Sequence, residues 1–252
     1  MDLSTLPTAG GLSSLGERAR RWRPGLAGAR HAEVFARGGE GCGAAAALAL
    51  ALDGLRADGA EWGQSDNDQR AVLWVQDAAA IRLGGRPYRH GLPDGLRRRL
   101  IHVAAKTPED ALFALEEGVR CRDMAFVLGE IAGNPRALDF VASRRLSLAA
   151  ERHGVPLWLV RLDAARDLSS ARMRWDVCSA PSPRPRWNPA APGRPAWRAE
   201  LFRARSHIPG EWMLMDGPGG LTAESSAAEP THGDTGSGRA EDLREMTQNR
   251  SA

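Results

Sequence analysis

The segment Gly38-Gly-Glu-Gly-Cys-Gly-Ala-Ala45 lies between a strand pattern and an apolar helix pattern, a setting in which backbone can cradle phosphate. A loop of spacing G-x-x-x-x-G-K-[ST] turns successive N–H groups inward, and the helix N-terminus behind it adds a favourable dipole. Gly38 and Gly43 hold the first and sixth positions of that spacing, with Gly39 and Gly41 between them. The seventh and eighth positions are Ala44 and Ala45. Alanine neither neutralises the β- and γ-phosphates, as lysine does, nor ligates Mg²⁺, as a serine or threonine hydroxyl does. Such electrostatic stabilisation supplies most of phosphoryl-transfer catalysis. The sequence therefore predicts a degenerate nucleotide loop without ATPase activity, and no ATP cofactor is expected. The chain holds a single lysine, Lys106, among its 34 basic residues, and the pattern puts it at the end of a different strand. The spacing alone fits a purely structural strand-to-helix turn equally well.

Few other residues carry recognisable chemistry. Asp77 follows a predicted buried strand at its C-terminal end, where α/β proteins usually place ligands, and Asp77 and Glu130 form the candidate relic ligand site. Glu116 and Glu117 close an amphipathic helix pattern and are expected on a solvated face. Six histidines show neither i,i+4 pairing nor an H-E-x-x-H arrangement, so no metal site is expected. Cys42, Cys121 and Cys178 form no C-x-x-C pair and suggest no disulfide scaffold. Cys42 sits inside the glycine loop, where a helix N-terminus could lower its pKa. Arg184, Arg186 and Arg194 occupy a proline-rich stretch beside Trp187 and Trp197, a mixture of cations and aromatic faces that suits DNA or partner contact. A solvated surface in an arginine-rich chain is the competing reading.

The elements that must position these groups are legible in outline. His31–Ala36, Ala71–Val75, Leu100–Ala104, Met124–Leu128 and Val155–Val160 read as buried strands. Thr107 and Pro108 open a helix that ends near Arg120, and a second runs from about Pro135 to His153 with Gly154 as its stop. Strands alternating with helices imply a mostly parallel central sheet. Beyond Arg161 the pattern becomes alternating strands, Arg172–Ser179, Trp197–Arg205 and Gly210–Asp216, read as an antiparallel extension at the C-terminal end. The expected organisation is a flexible or partly helical segment over 1–27, one α/β domain over 28–216, and a disordered tail over 217–252. The whole chain carries a net charge of +3, which divides into about +6 before the tail and −3 within it. No apolar run is long enough to span a membrane, and a cytoplasmic protein is expected.

Several stretches within 28–216 resemble the ImuA family: His31–Phe35, Leu73–Asp77, Gly85–Tyr88, Ala111–Cys121, Ala142–Glu151, Trp197–Arg205 and Pro209–Trp212. Ala111–Cys121 and Ala142–Glu151 carry most of the specificity. The resemblance implies a RecA-like three-layer fold, related also to the cell-division inhibitor SulA. It implies an accessory role in the bacterial DNA-damage (SOS) response, in which an ImuA protein supports error-prone translesion synthesis beside an ImuB-like protein and an error-prone polymerase. RecA or DNA are further partners it allows. Against the RecA pattern, Gly129 stands where the acidic end of the Walker B strand is expected, with Glu130 one step on, and Asp77 falls near the catalytic glutamate. A SulA-like division inhibitor and a RecA-like ATPase with an atypical nucleotide site are the two alternatives.

Overall fold

A computed structural model describes residues 20–26, 29–59, 68–217 and 219–225. The parallel part of the sheet is made of β2 (His31–Ala36), β3 (Ala71–Gln76), β4 (Leu100–Ala104), β5 (Met124–Ala132), β6 (Leu157–Leu162) and β7 (Met173–Ser179). β8 (Ala196–Ala204), β10 (Gly210–Gly217) and β11 (Gly220–Ser225) continue it in antiparallel fashion. The strand order is β11-β10-β8-β7-β2-β6-β5-β3-β4. A second small sheet pairs β1 (Arg20–Arg21) with β9 (His207–Ile208).

Every residue of β2 and of β6 is buried, as expected of central parallel strands covered on both faces. One face carries α1 (Cys42–Ala57), α2 (Ala78–Gly84) and α3 (Asp94–Arg99), packed on Val34, Val72, Phe126, Leu128 and Val160. The other carries α4 (Pro108–Arg120) and α5 (Phe140–His153), which enclose Val75, Val127, Ile131, Leu157 and Leu159. The molecule is thus a three-layer α/β fold with a large mixed sheet.

Local signals explain the helix ends. Thr107 Oγ1 accepts the Asp110 N–H at 3.1 Å, and Pro108 occupies the first turn of α4. The second predicted helix starts later than Pro135, because the Asp139 side chain caps the Ala142 N–H at 2.8 Å while residues 135–138 form a turn. Gly154, at φ 73°, ends it as expected. β7 differs from its expected antiparallel role: it pairs in parallel with β2, so the antiparallel extension begins at β8.

Two boundaries also move. The first residues of the expected tail form β11, whose Leu221 is buried against the α1 side of the sheet. The tail beyond Ser225 lies outside the described residues. At the other end Trp22, inside the segment expected to be flexible or partly helical, is 4% exposed. Its ring packs edge-on against Trp175 and Trp212, with centroids 4.7 and 5.3 Å away. The Trp175 and Trp212 centroids are 5.7 Å apart, so the three indoles form one cluster.

Candidate functional site

The glycine loop follows β2 at the C-terminal end of the parallel strands, where α/β folds bind ligands. Gly38–Glu40 forms a single 3-10 turn, and Gly41 then takes a left-handed φ of 63° as the chain enters α1. Gly43 has a packing reason to be glycine: a Cβ there would lie 2.7 Å from Ala36 Cβ and 3.0 Å from Val160 Cγ1. Its absence lets α1 press onto β2 and β6.

Two carboxylates are bonded at the loop. Asp163 Oδ1 accepts the Gly38 N–H at 3.0 Å. Glu40 accepts both the N–H and the hydroxyl of Ser179 at 2.9 Å, bonds that hold its carboxyl below the usual range. Cys42 is not an activated thiol, since burial pushes its pKa up to about 11 and the nearby Glu40 adds to the effect. Gly41 gives the first turn of α1 no side-chain cap.

Gly38, Gly41, Gly43, Ala44 and Ala45 border a cavity of about 320 Å³, together with Glu130 on β5. Trp74, Gln76, Arg86, Tyr88, Trp197 and Asp216 supply the aromatic and polar part of its lining; the sequence reads Trp197 as a neighbour of the proline-rich arginines and assigns none of the six to the glycine loop. Gly39, although part of the loop, is not among the lining residues.

Glu130 is 4% exposed. Its Oε1 accepts from Trp74 Nε1 at 2.6 Å and from Gln76 Nε2 at 3.0 Å. Burial pushes the carboxyl up to about 7, against the downward pull of these two hydrogen bonds, and the neighbouring Asp77 adds to the rise. Gln76 Nε2 donates also to the Gly85 carbonyl at 2.9 Å, and Gln76 Oε1 lies 2.9 Å from His102 Nε2. An amide oxygen only accepts, so His102 carries its proton on Nε2. Burial lowers the His102 pKa.

The expected pairing of Asp77 with Glu130 as one ligand site is not what the structure builds. Asp77 is 1% exposed and caps α2, accepting the Ala80 N–H at 2.6 Å and the Ala132 N–H at 3.4 Å. Its carboxylate serves the helix start and does not line the cavity. Gly129 faces the other layer, where a Cβ would meet Leu115 Cδ2 at 2.8 Å, so Glu130 is the acidic residue on the α1 face. Glu116, expected to be solvated, is instead buried and bonded at 2.5 Å to both Arg120 and Arg145, which ties α4 to α5. Glu117 is exposed as expected.

Arg184, Arg186, Trp187 and Arg194 do come together. They border a second cleft of about 520 Å³ between the proline-rich stretch and the β10–β11 hairpin. Trp187 is 82% exposed. Among the described residues no group of three or more His, Cys, Asp or Glu is placed to hold a metal ion. No helix among them is long and apolar enough to cross a membrane.

The chain is 32% identical over 163 residues to Protein ImuA of Caulobacter vibrioides strain NA1000 / CB15N, and equally to Protein ImuA of strain ATCC 19089 / CIP 103742 / CB 15. This similarity supports membership of the ImuA family. The match covers 61% of this chain and 63% of each ImuA relative, so the chain spans a little under two thirds of their length. No protein-family model matches the chain. The two stretches most specific for the resemblance to ImuA, Ala111–Cys121 and Ala142–Glu151, fall on α4 with its C-cap and on α5.

Proposed function

We propose that this chain is a non-catalytic accessory protein of SOS-type mutagenesis, with a RecA-like core and a nucleotide loop that has lost its catalytic groups. In this reading it supports error-prone translesion DNA synthesis beside an ImuB-like protein and an error-prone polymerase, with RecA or DNA as further partners. The remade loop carries the reading. Ala44 and Ala45 border the cavity where lysine and a hydroxyl would act, and Asp163 and Glu40 bring carboxylates to the loop instead. Lys106 cannot substitute. It follows β4, which β6, β5 and β3 separate from β2, a distance of roughly 19 Å at the usual strand spacing.

The test has two arms. Deleting the gene should lower damage-induced mutation, and the purified protein should co-purify with an ImuB-like protein yet hydrolyse no ATP with or without DNA. Hydrolysis that survives purification and falls in Ala45→Arg or Glu130→Gln overturns the non-catalytic reading. One observation favours the rival, an ATPase with an atypical site: the uncapped first turn of α1 offers free amides at the edge of the cavity. Nucleotide-dependent thermal stabilisation would support that rival.

A further inference from the structure

A third cleft lies away from the glycine loop, between α5, the segment leading into β7, and the end of β8. Its volume is about 200 Å³. Four arginines line it, Arg144 from α5, Arg172 ahead of β7, and Arg203 and Arg205 from the end of β8 and just beyond. Glu151 is the lone carboxylate in the lining, and Arg172 already holds it, with Nη2 at 2.5 Å and Nε at 2.7 Å. Arg144, Arg203 and Arg205 are exposed and make no ion pair with any described residue.

Three unneutralised guanidinium groups from separate parts of the chain repel one another, and the arrangement is relieved when an anion sits among them. Ser147, Ser169 and Ser170 also line the cleft, but their hydroxyls are spent within the protein. Ser169 donates to Glu33 Oε1 at 2.7 Å, and Ser147 Oγ lies 2.6 Å from both His31 Nδ1 and Ser170 Oγ, so the arginines are the groups left for an anion. Phe140 and Leu148, 40% and 53% exposed, stand beside Arg144 on α5 and also line the cleft. An exposed aromatic next to a cationic groove is what an unpaired base needs to stack on while its backbone is held.

We infer that this cleft binds the phosphodiester backbone of single-stranded nucleic acid, with Arg144, Arg203 and Arg205 gripping phosphate and Phe140 supporting a base. The site is independent of the proline-rich cleft at Arg184–Arg194. The accessory reading above can hold with the cleft empty, so the two stand or fall separately.

The test is fluorescence anisotropy of a labelled oligothymidylate with the full chain, against the triple variant Arg144→Gln, Arg203→Gln, Arg205→Gln. The three side chains are exposed and unpaired, so the variant should unfold at the same denaturant concentration as the parent. The expected result is at least a tenfold loss of affinity, with the slope of log K against log salt flattened by about 2, as removal of three phosphate contacts predicts. The matching triple Arg→Lys variant should keep the slope, because charge sets it. Unchanged binding in the Gln variant overturns the proposal. So does stabilisation by inorganic phosphate that the Gln variant loses while its oligonucleotide affinity stays, which marks a small-anion site only. Loss of co-purification with the ImuB-like protein in place of oligonucleotide binding also overturns it, and makes the cleft a protein contact.

Discussion

Asp163 reaches back from the end of β6 to accept the Gly38 N–H at 3.0 Å, and does so from a left-handed backbone φ of 49°. A non-glycine residue rarely adopts that conformation without a compensating contact, and here the contact closes the base of the glycine loop. The loop is therefore held in shape by the protein's own carboxylate. Its glycines answer to packing and turn geometry, and the predictions below follow from that shift in role.

Gly43→Ala should destabilise the protein by about 1–3 kcal/mol, since the added methyl meets backbone-anchored neighbours on β2 and β6. Gly39→Ala, where an added Cβ meets nothing within 4 Å, should change stability by no more than about 0.5 kcal/mol. Urea denaturation of both variants checks this. Equal effects would mean that α1 does not press on the sheet as described.

Glu130 and His31 set opposite pH slopes. The carboxyl is raised from 4.5 to about 7, so the folded state holds its proton longer and stability falls as pH rises across that window. Burial lowers His31 from 6.5 to about 4, so the unfolded chain protonates first and stability falls as pH drops across that range. Glu130→Gln should remove the first slope and gain up to about 3 kcal/mol above pH 7, which converts the pKa rise directly. Below neutrality the variant should then keep the His31 slope, to which His102, also lowered by burial, adds in the same sense. Unfolding curves on both sides of neutrality test it, and no gain on the alkaline side would count against a strained carboxyl.

Glu116 couples the two helices on the α4–α5 face. A double-mutant cycle on Glu116 and Arg145 should give a coupling of about 0.5–1 kcal/mol that weakens at high salt. The modest size reflects the exposure of Arg145, whose side chain is 56% accessible. Zero coupling in low salt would assign the helix contact to its apolar residues alone.

A chain ending at Ser225 should be more stable than one ending at Asp216 by about 2 kcal/mol or more. The shorter chain loses the burial of Leu221 and the ladder that β11 makes with β10. Thermal or urea midpoints of the two proteins compare them directly. Identical midpoints would show that β11 adds nothing to the sheet.

The parts that sequence revealed are those governed by local or periodic signals. β2 and β4 span the residues expected of them, although β4, read as a buried strand, is the edge of the sheet and only Leu100 of it is buried. α4 starts where Thr107 and Pro108 say it should. What escaped depends on which face a residue points to or on distant pairing. Glu130 and Gly129 exchange roles because the two-residue period of a strand sends them to opposite layers. Asp77 looked like a ligand group at a strand end, but the same position is also where a helix needs its cap. Trp197 reaches the cavity only because β8 joins the sheet beside β7, which no local pattern foretells. β11 holds one buried large apolar residue, too weak a signal to stand out from a polar stretch.

The three-indole cluster turns the molecule into its own indicator. Trp22 arrives from the segment before β2, Trp175 from a parallel strand and Trp212 from an antiparallel one. The chain has eight tryptophans, so the difference in emission between the parent and Trp22→Phe is what reads out whether this segment is seated on the sheet where the two kinds of strand pairing meet. It also sets a lower limit for any trimmed version of the protein, because a cut at residue 27 removes one wall of the core along with the leader.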